Sequence, residues 1–381
     1  MKLKYLSTAM ILATLPATGA FAAALDRSGQ SISAFLQPGN YFEAGISVLD
    51  PNVSGKVRNG YTPNAALPAS SAGLQNTSVG EMAGDYYFPS AALKLQVTDN
   101  FSFGLIYDQP FGAEAEYSTG TQKTTALPGP LAPLGNQGAF HNGTEGTSVE
   151  VKSQSISMIF GYQPTENFNF YAGPVYQTIE GDVQLRGLAY GGSATFGGYN
   201  ASIKETGDIG WLAGAAFQIP DIALKASVTY RSEIEHSVNV KESFNSAGLF
   251  AALNAAPSLD TDITTPQSVN LDFQTGIMAN TVAFANVRWV DWSNFSIQPY
   301  KFGIASKNAI VQGQTGKPEF DLVAYTDDQI SATVGVGRKL NDQWAGNVSV
   351  GWDSGAGNPV TTLGPTEGYW NLGLGAQFSP T

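Results

Sequence analysis

Ile222-Ala-Leu-Lys-Ala-Ser-Val-Thr-Tyr-Arg-Ser-Glu233 puts Ile222, Leu224, Ala226, Val228 and Tyr230 on one face and Ala223, Lys225, Ser227, Thr229, Arg231 and Glu233 on the other. Strand side chains alternate with period two, so this segment offers one face to hydrocarbon and one to water or a polar lumen. The pattern returns in Phe101, Leu105 and Tyr107 against Ser102, Gly104 and Asp108, where Ile106 breaks the polar row. It returns again in Ile156, Met158, Phe160 and Tyr162 against Ser155, Ser157 and Gly161, and in Trp370, Leu372, Leu374, Ala376 and Phe378 against Asn371, Gly373, Gly375 and Gln377. A single such strand also fits a soluble sandwich. Repetition along nearly the whole chain points to an all-β transmembrane antiparallel β-barrel.

Twelve strands are expected, near 41–55, 85–98, 101–112, 148–163, 167–186, 200–219, 222–241, 267–280, 282–300, 321–339, 343–353 and 366–379. Their connections alternate in length. Thr98-Asp99-Asn100, Gln163 to Asn167, Pro220-Asp221, Ala279-Asn280 and Leu340 to Asp342 are short and built of turn residues. Between them lie long links rich in Gly, Pro, Ser and Thr, such as Ala113 to Gly146 and Ser243 to Pro266. Short turns at one rim and long loops at the other are the habit of outer-membrane barrels. Tyr86, Tyr87, Trp289, Trp292, Trp344, Trp352 and Tyr369 near strand ends are expected to form interfacial girdles.

Lys2 and Lys4, an uncharged run from Tyr5 to Pro16 and then Ala20-Phe21-Ala22 have the order of a cleavable export signal over residues 1–22. The apolar run is too short for a transmembrane helix, and no later run approaches the ~20 apolar residues a helix needs. Removing the signal takes two lysines and no acids, moving the net charge from -12 to -14. A chain this acidic has no electrostatic case for nucleic acid. Without cysteine it has neither disulfides nor thiolate metal sites, and a closed hydrogen-bonded barrel is the alternative source of stability. Charged residues make up 13% of the chain, against ~25% in ordinary soluble domains. No P-loop, dinucleotide or zinc spacing is present, and no cofactor is expected. His141 falls in a long loop and His236 at a strand end beside Glu235, where it reads as a loop-edge polar residue; a barrel-embedded hydrolase would need His236 beside a Ser or Asp.

Val228-Thr-Tyr-Arg-Ser-Glu-Ile-Glu235 is similar to the strand sequence LTYRSEV of the long-chain fatty acid transporter (FadL) family of outer membrane proteins, which also includes aromatic hydrocarbon uptake channels. Asp291-Trp-Ser-Asn-Phe295 resembles the family's T-S-W-S-Q-F run, and Pro89 and Asn341-Asp-Gln-Trp344 fall at matching places. The resemblance implies a barrel of 14 strands around an N-terminal hatch, hence a hatch at 23–40 and a barrel at 41–381. Two departures stand out. Only twelve strands are visible, and the sequence stops at Phe378-Ser-Pro-Thr381, so the last hairpin is expected to be missing. The family's Asn-Pro-Ala hatch run is also absent.

The function implied is passive uptake of long-chain fatty acids or similar hydrophobic compounds by a monomer among outer membrane lipids. Aromatic hydrocarbon uptake is the alternative, and a structural surface barrel is a rival of another class. Arg186 and Lys301 lie near the family's basic positions and are candidates for a ligand carboxylate; Arg231 and Lys225 share the lumen row and could serve instead. A solvated lumen charge or an ion pair with the abundant acids is the competing reading of each. In the hatch, Phe35 and Leu36 are expected to line an apolar pocket, with Asp26 and Arg27 pinning the plug to the wall. Leu249, Phe250 and Leu253 fall on one side of a short loop helix, readable as an acceptor groove or as ordinary loop packing. Gly104 and Pro110-Phe111-Gly112 are where the third strand would kink to leave a lateral gap.

Overall fold

The computed structural model describes residues 24–59, 74–119, 124–126, 135–358 and 360–380; the export signal expected over 1–22 lies outside them. Twelve wall strands follow one another: β1 (Tyr41–Leu49), β2 (Tyr86–Gln96), β3 (Phe101–Asp108), β4 (Ser148–Thr165), β5 (Phe168–Gln184), β6 (Asn200–Ile219), β7 (Leu224–Arg231), β8 (Ser268–Met278), β9 (Thr281–Val290), β10 (Gln329–Lys339), β11 (Trp344–Asp353) and β12 (Tyr369–Phe378). Each pairs antiparallel with the next, and β1 and β12 are not paired with each other, so the sheet is open at that seam. All five short turns of the sequence lie at one rim, joining β2 to β3, β4 to β5, β6 to β7, β8 to β9 and β10 to β11. Asn280, at φ +60, closes the tightest of them, a conformation Asn tolerates better than most side chains. Among the described residues no helix is long and apolar enough to cross a membrane.

The alternation decides which way each side chain faces. Ser153, Ser155 and Ser157 of β4 and Ser227, Thr229 and Arg231 of β7 are buried inside, while Ile156, Met158, Phe160 and Val228 face out. Outward side chains are exposed to a degree water would not tolerate over a whole belt: Trp370 74%, Leu374 74%, Ile209 71%. A hydrocarbon surround is the environment that suits such a belt. Aromatic pairs mark its turn-side border, among them Phe101 with Tyr162 and Trp344 with Phe378, at 5.1 and 4.9 Å between ring centroids.

Three expectations need correction. The segment 222–241 is two strands: β7 ends at Arg231, and Ile234–Ser243 leaves the wall to pair with Asp260–Thr265 in the loop region. Trp292 is not a girdle residue but is fully buried. Tyr86 and Tyr369 turn inward, Tyr86 beneath the Arg27 guanidinium and Tyr369 onto the lumen. Ile106, the break in the polar row of β3, packs in the same apolar cluster as Ile32 and Phe35.

Residues 24–40 run inside the barrel as a short hatch. The hatch starts with a single antiparallel bridge, Asp26 to Phe111: Arg27 N–H donates to the Pro110 carbonyl and Gly112 N–H to the Leu25 carbonyl, both at 2.8 Å. The β2–β3 ladder stops at Ala91↔Tyr107, and the hatch takes up the edge that β2 leaves free.

Candidate ligand groove and hatch

The long connections gather over the loop rim into one apolar cluster. Phe196, from the β5–β6 link, stands 4.8 Å from Phe302, 5.3 Å from Phe320 and 5.3 Å from Phe250, measured between ring centroids. These rings come from three different connections, so edge-on packing of aromatics is what holds the loops together. Glu242 fixes their relative position: its carboxylate accepts from the Tyr199 hydroxyl at 2.9 Å and from the Lys301 and Phe302 backbone N–H groups, each at 2.8 Å. Gly187 stands where the β5–β6 link crosses the 139–141 backbone. A Cβ there would come within 2.5 Å of the Ala139 carbonyl, and its φ is +92. Only glycine fits so close an approach.

Between the loops lies a groove of about 480 Å³, lined by Leu185, Leu188, Phe196, Phe302, Val311 and Phe320 with Lys317 and Asp321 among its polar groups. Burial, together with the neighbouring Glu319 charge, pushes the Asp321 carboxyl above its ordinary range. The groove is thus an apolar trough carrying one cation and one carboxyl with weakened acidity. A hydrophobic molecule gains ~0.8 kcal/mol for each methylene it buries in such a place.

Below it, the hatch and strands β7 to β12 enclose a second cavity of about 140 Å³ lined by Asp26, Leu36, Lys225, Asn270, Asp272 and Arg288, among others. The hatch is gripped from several sides. Arg288 meets Asp26 through Nε–Oδ2 at 2.7 Å and Nη2–Oδ1 at 3.3 Å, and also donates to Gln30 Oε1 and Asn270 Oδ1. Lys225 donates to the Leu36 carbonyl at 2.8 Å, Lys94 to the Gln37 carbonyl, and Arg231 to the Gln30 carbonyl at 3.4 Å. Phe35 packs edge-on against Tyr171 at 5.7 Å, in a socket between two glycines. A Cβ on Gly104 would come within 2.5 Å of its ring, and one on Gly161 within 2.8 Å.

The residues singled out in the sequence fall as follows. Arg186 is a strut between loops: Nε bonds Glu145 at 2.7 Å, Nη1 the Leu185 and Tyr199 carbonyls, and Nη2 Asn200. Lys301 is buried in the first turn of the helix Tyr300–Ser306. Neither lines the groove, and the cation that does, Lys317, carries no strand pattern that would have flagged it. Arg231 is buried, bonding Ser157 Oγ at 3.0 Å and the hatch. Leu36 lines the lower cavity, while Phe35 fills its glycine socket rather than facing that cavity. Leu249, Phe250 and Leu253 do not share one side of a helix. The helical turn covers only Ala251–Ala255, Phe250 and Leu253 turn into the loop cluster, and Leu249, whose N–H donates to the Ala194 carbonyl, is exposed.

His236 lies near the start of the strand Ile234–Ser243 and is fully buried. It sits where the β6–β7 ladder has ended at Leu212↔Arg231 and the pairing of β6 with Ile234–Ser243 has yet to begin at Ile203↔Val240. Its Nε2 meets Gln177 Oε1 at 3.2 Å and its Nδ1 lies 3.8 Å from Asp208. The hydroxyl at that place, Thr265, donates to the same Gln177 oxygen at 2.6 Å, so the pair a nucleophile requires is not assembled there. His141 is buried in a turn, with Nδ1 accepting from Gly143 N–H at 3.1 Å.

No family model and no curated protein matches the sequence. Solved structures do match the fold. A FadL homologue from Pseudomonas aeruginosa superposes with TM-score 0.55 at 17% identity, over 88% of this chain and 76% of that one. The Pseudomonas putida toluene transporter TodX gives 0.51 at 13% identity, over 91% and 81%. The deltaS2S3 mutant of the TodX monoaromatic hydrocarbon channel gives 0.55 at 15%, over 91% and 83%. The chain has the fold of these barrels.

Proposed function

We propose that the chain belongs to the FadL family and is an outer membrane channel for passive uptake of hydrophobic small molecules, with long-chain fatty acids as the first candidates. The observation that carries this reading is an apolar groove of about 480 Å³ on the loop rim of a barrel whose lumen holds a docked hatch. A dissolved hydrophobe partitions into the groove, and Lys317 is placed to meet a carboxylate head. From there it moves to the hatch and leaves when the hatch shifts, either below or sideways where the β2–β3 ladder stops at Ala91↔Tyr107. The bond energy needed is that of docking and undocking, with no chemistry on the ligand. The channel works as a monomer surrounded by outer membrane lipids.

Aromatic hydrocarbon uptake is the second reading. It is favoured by the Phe196, Phe302 and Phe320 lining and by the engagement of Arg186 with protein groups, which leaves it outside the groove. The test is displacement of a fluorescent long-chain fatty acid from the refolded protein in detergent, with oleate, a xylene and a neutral sugar as competitors. Displacement by oleate alone, weakened in Lys317→Ala, supports the fatty acid reading. Displacement by xylene equally, unaffected by Lys317→Ala, moves the assignment to hydrocarbons. A folded barrel that binds none of them refutes the uptake reading.

A further inference from the structure

The groove and the hatch cavity have no lining residue in common among the described residues, so a molecule captured above meets a closed partition. Trp292 and Phe111 stand in it. Trp292 is fully buried and Phe111 nearly so, and their rings meet edge-on at 5.4 Å. Both belong to the loop-rim apolar cluster beneath the groove, and neither lines the groove itself. On the other side, Trp292 Nε1 donates to Gln329 Oε1 at 2.8 Å, and Gln329 lines the hatch cavity. Phe111 likewise reaches that cavity through its backbone, which is bridged to Asp26.

The two rings are held differently. Trp292 is tethered by its indole N–H, and its segment by two carboxylates: Asp291 accepts from Gln267 and Asn294, and Asp328 from Ser293 N–H. The Phe111 backbone is fixed by Ser153, whose hydroxyl accepts from its N–H at 2.8 Å, but its ring is a hydrocarbon with no hydrogen-bonding atom. A ring without a polar tether can change rotamer at the cost of packing only. Trp292 is therefore the post and Phe111 the moving leaf.

We propose that Phe111 and Trp292 form a size gate between the loop groove and the hatch cavity, so that the width of molecule admitted is set at this pair. The inference rests on the uptake reading above. Its test uses the full chain in outer membranes of cells, with two readouts: displacement of a fluorescent fatty acid from purified protein, which reports the groove, and cellular uptake of slim oleate against wide pyrenedodecanoic acid, which reports transit. Phe111→Ala is expected to raise pyrenedodecanoate uptake at least fivefold relative to oleate while groove affinity stays within twofold. Phe111→Trp is expected to lower uptake of both at least fivefold at unchanged affinity, and Phe111→Leu, which keeps the apolar fill, to fall between wild type and Ala. Unchanged uptake ratios in all three variants, with wild-type binding and transit intact, overturn the gate alone. Wild-type protein that neither binds nor transports overturns the uptake reading and the gate with it.

Discussion

Replacing Asp26 by asparagine takes one charge from a buried pair at the edge of the hatch cavity. The Arg288 and Asp26 side chains are 3% and 7% exposed and meet through two contacts. Breaking a buried pair by removing one partner costs ~3–5 kcal/mol, because the remaining charge is stranded. Arg288 keeps its bonds to Gln30, Ser268 and Asn270, so the lower end, ~3 kcal/mol, applies here. The loss falls on hatch docking and not on the wall, whose ladder is made of backbone bonds. At ~1.4 kcal/mol per factor of ten, the undocked population rises roughly 100-fold. Native-state hydrogen exchange in detergent reads this directly: the Arg27 and Gly112 amides, bonded across the hatch–β3 seam, are expected to exchange roughly 100-fold faster, while amides of the β9–β10 ladder keep their rates. Unchanged exchange at Arg27 and Gly112, or equal acceleration across the wall, would refute the idea that Asp26 is a local latch.

Gly104→Ala drives a methyl into the Phe35 ring, an overpacking of ~1–3 kcal/mol; faster exchange of the Phe35 amide is expected, with more than half of the effect relieved in the Gly104→Ala/Phe35→Leu double variant. Phe196→Ala empties the centre of the loop cluster at a local cost of ~3–5 kcal/mol; probe affinity for the groove should fall at least tenfold and the 185–199 link should become protease-sensitive, whereas barrel melting should stay close to wild type. The Arg186 guanidinium hydrogen-bonded to Glu145 holds that carboxyl below its ordinary range. A depressed folded-state value contributes stability above the unfolded value of about 4.3 and loses it as pH falls through the folded value, so loop protection from protease should weaken below pH ~4. Glu145→Gln should remove that pH dependence, and a persisting step would show that another acid governs it.

The wall was legible in the sequence because it is made by a local rule. Alternation and turn residues are properties of neighbouring positions, so all five short turns and the order of the twelve strands could be read directly, as could the inward serines of β4. The split after Arg231 could not: Ile234–Ser243 alternates as well as β7 does, and only its pairing with Asp260–Thr265 takes it out of the wall. The loop groove was hidden for a related reason. Phe196, Phe250, Phe302 and Phe320 sit in three connections without periodicity, and what joins them is distance in space. Arg186 shows the same limit from the other side, since a cation near the expected place is diverted by Glu145 and two carbonyls that no linear pattern announces.

The wall grips the hatch chiefly by its main chain. Lys94, Lys225, Arg231 and Asn270 all donate to hatch carbonyls, at Gln37, Leu36, Gln30 and Gly29. A carbonyl oxygen is the same group whatever side chain its residue carries, so much of this docking is blind to hatch composition. Side chains at Leu36 and Gln37 are then open to change without loosening these main-chain bonds, provided Asp26, Gly29, Gln30 and Phe35 keep their places, since Gln30 also accepts from Arg288 through its side chain and Gly29 has a positive φ. Diversity in what the plug presents to passing molecules then comes cheaply, on a scaffold that continues to recognise only a backbone.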